Sequence, residues 1–141
     1  MVITLSVINA LVFFLISAIH IYWALGGKWG AAYAIPGNMK GQLSFQPGAL
    51  ATLTVAFGLM VFSFLMLTGS GLISFSPIDR FKDTALYIVS GIFMVRAIGE
   101  FRYVGLTKKI RNTAFALLDT RYYTPLCLWL FASILFIAVK N

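Results

Sequence analysis

The chain has 141 residues, of which 60% are hydrophobic and 11% are charged, and its net charge is +7. A soluble globular domain is about 45–50% apolar and about 25% charged, so this chain has too little charge to cover a water-facing surface. The composition excludes a disordered protein, a disulfide scaffold and an ordinary soluble domain, and it predicts an all-α, polytopic membrane protein.

The first half of the chain contains two apolar runs of the length of a membrane span, which is about 20 residues. The run at 2–25 is too long for the core of a signal peptide, so we expect a retained span. A loop rich in glycine and proline, at 26–48, leads to the second run at 49–68, which has no charged residue. The loop begins with Gly26-Gly27-Lys28-Trp29-Gly30, and this pattern predicts a tight turn at a helix end, since no strand precedes it as a phosphate-binding loop requires.

The second half predicts two further spans. Ser76-Pro77-Ile78-Asp79 provides a capping hydroxyl, a first-turn proline and a carboxylate, which predict the start of the third helix, with its embedded part at 84–103. The connection 104–121 is basic and holds apolar residues that suit an interfacial segment. Asp119 is predicted to cap the fourth span, at 122–139. With no repeat or domain boundary, these four helices predict one small transmembrane bundle at 1–141.

The distribution of Lys and Arg predicts the orientation of this bundle. One side, with both termini, carries three basic residues: Arg80, Lys82 and Lys140. The other side carries seven: Lys28, Lys40, Arg102, Lys108, Lys109, Arg111 and Arg121. The first and third connections are therefore predicted in the cytoplasm and both termini outside. Because the basic residues lie between long apolar runs, we expect membrane lipids as partners and no nucleic acid.

Three ionisable side chains fall within the predicted spans, namely His20, Arg96 and Glu100. On insertion scales such a residue costs at least about 2.5–3.5 kcal/mol, so it should face protein or a watery cavity and have a partner. At about 100° per residue, His20 shares one helical stripe with the following side chains, which should face protein rather than lipid: Ser6, Asn9, Phe13, Ser17 and Ala24.

The third predicted span carries a second polar face. Arg96 and Glu100 are one helical turn apart and are predicted to pair, with Tyr103 on the same face. His20 lies at a similar depth, so if spans one and three pack together, it meets Glu100 directly or through one water. Trp23 would lie beside this cluster at the membrane interface. The cluster predicts a ligand or acid–base site near the cytoplasmic leaflet, or else a structural contact in which Glu100 neutralises Arg96.

Cofactor chemistry has no support in the sequence. The chain has one histidine and one cysteine, Cys127, which are too few for the three or four ligands of a zinc site. Nucleotide-binding glycine motifs are also missing. We therefore expect no metal and no cofactor.

Four segments resemble a known family: 20–30 (HIYWALGGKWG), 34–37 (AIPG), 96–105 (RAIGEFRYVG) with Lys108-Lys109, and 119–127 (DTRYYTPLC). Together they resemble an uncharacterised bacterial family of small four-span membrane proteins, catalogued as a domain of unknown function, over nearly the whole chain. The resemblance implies an integral protein of the bacterial inner membrane and a carboxylate at Glu100, and it implies no activity.

Three kinds of function stay open from the sequence. The first is a non-enzymatic bundle that binds lipid, a small apolar ligand or a protein partner as a subunit of a complex. The second is an intramembrane enzyme with His20 and Glu100 as acid and base, and the third is a proton-coupled small-molecule exporter. A cavity around the cluster would favour a ligand or an enzyme, whereas a closed, fully paired cluster would favour a structural role. The oligomeric state is not indicated.

Overall fold

The structure is a computed structural model that describes residues 1–36, 47–74 and 76–140. In these ranges the chain is helical and has no strand. In chain order the helices are α1 (Val2–Ala24), α2 (Ala31–Ala34), α3 (Ala49–Gly69), α4 (Ser76–Asp79), α5 (Lys82–Ile98), α6 (Ala114–Leu118) and α7 (Thr124–Lys140). A π-helical turn, Asp119–Tyr123, joins α6 directly to α7. The predicted all-α class is confirmed over the described residues.

Among the described residues, three helical stretches are long and apolar enough to cross a membrane, namely Val2–Ala24, Ala49–Gly69 and Ala114–Lys140. Their outer faces carry large exposed apolar side chains such as Leu11, Phe57 and Leu128, which suit contact with lipid tails. Helix α5 has 17 residues and is therefore about 25 Å long, less than the hydrocarbon thickness of about 30 Å.

The ends of the third and fourth predicted helices differ from the sequence expectation. Ser76–Asp79 forms a separate short helix, and α5 begins afresh after Phe81. Helix α5 then ends at Ile98 instead of near Tyr103, because Gly99 adopts φ 88° and ψ −175°, a conformation that only glycine adopts readily.

The predicted cap of the last helix is wrong. Asp119 lies inside a continuous helical run that begins at Ala114. The residue that caps this run is Thr113, whose hydroxyl accepts a hydrogen bond from the Ala116 amide at 3.1 Å. In the first connection, by contrast, the tight turn is confirmed: the Gly26 and Gly27 amides donate to the last carbonyls of α1. The rest of that predicted loop, at 37–46, lies outside the described residues.

The four long helices surround one core in the ring order α1, α3, α5, α7. The largest contacts join α1 with α3 and α5 with α7, and smaller ones close the ring. Helices α1 and α5 are therefore diagonal. Instead of the close packing considered from the sequence, they meet through side chains such as Phe13 and Phe93, whose ring centroids are 5.3 Å apart. Each long helix supplies a core side chain that is almost fully buried, as Phe13, Met66, Leu86 and Ile134 show.

The polar stripe of α1 faces protein, as predicted. Ser6, Asn9, Phe13 and Ser17 have no exposed surface. The Asn9 amide donates to the Ser133 hydroxyl on α7 at 2.9 Å, and the Ser17 hydroxyl donates to the Ala56 carbonyl on α3 at 2.7 Å. Small polar side chains that bond across helices in this way are typical of membrane interiors, where lipid offers no alternative partner.

Candidate ligand-binding site

A cavity of about 690 Å³ lies where α1 and α5 end and α7 begins. We call it the end cavity. Its volume falls within the range of about 300–1,000 Å³ that is typical of small-molecule sites. The apolar and aromatic part of its lining comes from the following side chains: Ile16, Ile19, Trp23, Trp29, Tyr33, Phe93, Phe115, Leu126 and Leu130.

The segment after α1 folds across one side of the end cavity. The indole N–H of Trp23 donates to the carbonyl of Trp29 at 2.8 Å, which holds the turn against α1. The Tyr123 hydroxyl donates to the carbonyl of Tyr33 at 3.2 Å, which ties α2 to the π turn. These two bonds hold the segment that carries Trp29 and Tyr33, both of which line the end cavity.

His20 has one ring nitrogen, Nε2, for which the described part of the chain supplies no hydrogen-bond partner. Its Nδ1 lies 2.8 Å from the carbonyl oxygen of Ile16, and because a carbonyl only accepts, Nδ1 carries a proton. In a ring protonated only at Nδ1, Nε2 is an acceptor, and Nε2 has no hydrogen bond within the described residues. The ring also packs edge-on against Trp23, with 5.1 Å between centroids. The wall of the end cavity thus includes an imidazole ring that can form a hydrogen bond, beside the indole of Trp23.

Asp119 is the centre of the charged groups at this end of the molecule. Its side chain has no exposed surface. One carboxylate oxygen accepts from Arg96 Nη2 at 3.1 Å, and the other accepts from Lys108 Nζ at 2.8 Å and the Gly105 amide at 2.9 Å. The Thr124 hydroxyl is 3.2 Å from the second oxygen. We call these groups the Asp119 cluster.

The segment after α5 forms because two glycines allow it to fold back on the helix end. The amides of Leu106 and Thr107 donate to the carbonyls of Ala97 and Ile98, which otherwise lack partners at a helix terminus. A Cβ atom on Gly99 would collide with the carbonyl oxygen of Val104. This close return brings the Gly105 amide and the Lys108 ammonium group to Asp119.

The structure brings together three of the five predicted site residues. His20, Trp23 and Arg96 line the end cavity, whereas Glu100 and Tyr103 do not. The predicted pairing of Arg96 with Glu100 is wrong: the partner of Arg96 is Asp119. Glu100 follows the end of α5, so it is not one turn along the same helix. Glu100 is exposed, and within the described ranges it shares no hydrogen bond with His20.

Sequence reasoning missed Asp119, Lys108 and Cys127. Asp119 is one of only four acidic residues and stands next to an apolar run, which is a usable signal for a buried partner. Lys108 gives no such signal, because it resembles the other basic residues of its loop until the fold buries it to 4% exposure. Cys127 is buried and lines the end cavity.

Helices of a length and composition that suit a membrane, together with a cavity walled mainly by apolar side chains, define a membrane-type helical protein. This chain belongs to the family described as "Protein of unknown function (DUF3995)", whose model matches residues 13–136. The matched range includes the whole lining of the end cavity and the whole Asp119 cluster. No curated protein and no solved structure matches the chain.

Proposed function

We propose that this protein is a four-span bundle of the bacterial inner membrane that binds a small, largely apolar ligand in the end cavity. The observation that carries this proposal is the cavity itself, about 690 Å³ of space walled mainly by aromatic and aliphatic side chains. Such a wall, with a few polar groups that orient the ligand, is the usual composition of a small-molecule site.

The position of the cavity supports a ligand that comes from the bilayer. Three of the helical stretches are apolar enough for a membrane, and two of them, α1 and the run that contains α7, supply cavity walls. With the first and third connections in the cytoplasm, the cavity lies near the cytoplasmic leaflet. Trp23 and Trp29 then lie at interface depth, where indole rings are common.

Two features favour binding over acid–base catalysis or a purely structural role. The carboxylate of the acid–base hypothesis, Glu100, lies outside the cavity lining. The carboxylate of Asp119 is fully buried and accepts bonds from Lys108 and the Gly105 amide, which accounts for a structural role of that group. His20, by contrast, lines the end cavity, and its Nε2 has no hydrogen-bond partner among the described residues. Empty apolar volume lowers the stability of a bundle, so a purely structural role does not explain the end cavity.

The proposal is tested by identifying the small molecules that co-purify with the protein. Wild-type protein, extracted in mild detergent, is analysed by native mass spectrometry and by lipid analysis of a solvent extract. Ala34→Phe, which places a large side chain in the cavity wall, is compared with Ala32→Phe, an exposed position on the same short helix that does not line the cavity.

We expect a bound small amphiphile with wild type and with Ala32→Phe, and its loss with Ala34→Phe. The single cysteine supplies a second measurement, since Cys127 lines the cavity and a bound ligand should slow its reaction with N-ethylmaleimide. The proposal is wrong if no molecule co-purifies and if neither palmitate nor hexadecanol slows the alkylation of Cys127 in lipid nanodiscs.

A further inference from the structure

We infer that the ligand of the end cavity carries an acidic head group, which is held by the guanidinium group of Arg96. This inference rests on the proposed function and names the chemical class of the ligand: a single-chain amphiphile that ends in a carboxylate or a phosphate. The argument depends on the charges of the Asp119 cluster, on the unused donors of Arg96 and on the basic surface around the cavity.

The Asp119 cluster contains two cations and one carboxylate. Lys108 is 4% exposed and directs its ammonium group to Asp119 at 2.8 Å and to the Gly105 carbonyl at 3.3 Å. Its charge is therefore matched within the protein. Arg96 shares the same carboxylate through a single, longer contact of 3.1 Å. The positive charge that remains in excess thus belongs to Arg96, the member of the cluster that faces the cavity.

Most of the hydrogen-bonding capacity of Arg96 is unused. A guanidinium group has five N–H donors, and within the described residues only Nη2 has a protein acceptor. Nη1 is shielded from water and has no partner in the described ranges, which is costly for a charged group. The side chain as a whole is 34% exposed and forms part of the cavity wall. Carboxylates and phosphates are the acceptors that match its planar fork of donors.

The surface at this end of the molecule favours the approach of anions. Exposed basic side chains surround the cavity end, and they are Lys28, Arg102, Lys109, Arg111 and Arg121. Glu100 is the one exposed carboxylate that the described residues place there, since Asp79 and Asp83 lie at the opposite end, before and at the start of α5. Such a surface raises the local concentration of anionic amphiphiles next to the membrane.

The volume and lining of the cavity indicate the remainder of the ligand. Beyond Arg96 the wall continues through Phe93, which packs against the core residue Phe13 with 5.3 Å between ring centroids. An acyl chain that extends from the head group would therefore meet only apolar surface in that direction. A space of about 690 Å³ suits one chain or a drug-sized molecule.

The test compares ligands that share a chain and differ in the head group. Protein in nanodiscs of zwitterionic lipid is titrated with palmitate, hexadecyl phosphate or hexadecanol at a pH where the acids are ionised. Occupancy of the cavity is measured as the decrease in the rate at which N-ethylmaleimide alkylates Cys127. Each variant is compared with its own rate without ligand. Arg96→Gln removes the charge but keeps an N–H donor for Asp119, and Arg96→Lys keeps the charge. Arg80→Gln is the control, because Arg80 is exposed at the opposite end of the molecule, before α5, and does not line the cavity.

We expect wild type and Arg80→Gln to bind at least one of the two acids about tenfold or more tightly than hexadecanol, which corresponds to about 1.4 kcal/mol. Arg96→Gln should lose this preference while its binding of hexadecanol is unchanged, and Arg96→Lys should retain part of it. The stronger of the two acids identifies the head group as carboxylate or phosphate.

Equal binding of both acids and hexadecanol by wild type would overturn the inference and leave the proposed function intact. So would a preference for acids that persists in Arg96→Gln. Failure of all three compounds to protect Cys127 would instead count against the proposed function itself, so the two failures are distinguishable.

Discussion

Removal of the Asp119 carboxylate is expected to destabilise the protein more than any other change of a single charge. Asp119 has no exposed surface, and it is the one carboxylate bonded to Lys108, which is itself almost fully buried. In Asp119→Asn the ammonium group of Lys108 would remain in the interior with no counter-charge. Loss of one partner of a buried ion pair typically costs about 3–5 kcal/mol.

The assay is thermal unfolding in detergent, followed by the fraction of protein that remains monodisperse on size-exclusion chromatography after heating. On the scaling for globular domains of this size, about 3–5 kcal/mol corresponds to a decrease in apparent Tm of roughly 10–20 °C. Glu100→Gln is the matched control, because Glu100 is exposed and has no ion pair in the described part of the chain. Its expected effect is within about 0.5 kcal/mol.

A double variant separates charge from packing. If the cost arises from the stranded cation, then Lys108→Met combined with Asp119→Asn should be more stable than Asp119→Asn alone, since the neutral pair leaves no uncompensated charge. An apparent Tm of Asp119→Asn that equals that of Glu100→Gln would refute this account of the cluster.

Two further predictions concern the fold-back after α5 and the orientation in the membrane. Gly99→Ala should lower the free energy of unfolding by about 1–3 kcal/mol or more in the same thermal assay, because the backbone conformation of Gly99 suits only glycine and an added Cβ would collide with the loop. Gly91→Ala, in the middle of α5 where an added Cβ meets nothing, should be neutral or stabilising. A similar loss of stability at both positions would contradict this reasoning. For orientation, in a Cys127→Ala background, an impermeant maleimide added to intact cells should label Leu72→Cys and not Ala32→Cys, and the reverse pattern would show that the termini are cytoplasmic.

The stripe on α1 illustrates what periodicity alone can predict. The side chains of a regular helix repeat about every 3.6 residues, so the relative directions of Ser6, Asn9 and Ser17 follow from their spacing. Their complete burial was therefore accessible from the sequence. The same reasoning placed His20 and Arg96 at one end of the molecule, and both line the end cavity.

The partner of Arg96 shows where this reasoning stops. Extrapolation of helical geometry past Ile98 placed Glu100 one turn from Arg96, but the helix ends where Gly99 takes up a positive φ. Once the chain leaves the helix, its path depends on which carbonyls and carboxylates lie nearby. Asp119 is 23 positions further along the chain from Arg96, and no local pattern links the two.

The sequence by itself determined the properties that depend on composition and short-range spacing: the helical class, the apolar helices and the face of α1 that meets protein. Only the tertiary structure decided that α1 and α5 lie diagonally in the ring of helices, with their ends lining the cavity, and that Asp119 holds Arg96 and Lys108. The physical reason is that a side chain's direction on its own helix is set by local geometry. Its partners, by contrast, are set by the order in which helices pack and by a loop that returns to satisfy the end of α5.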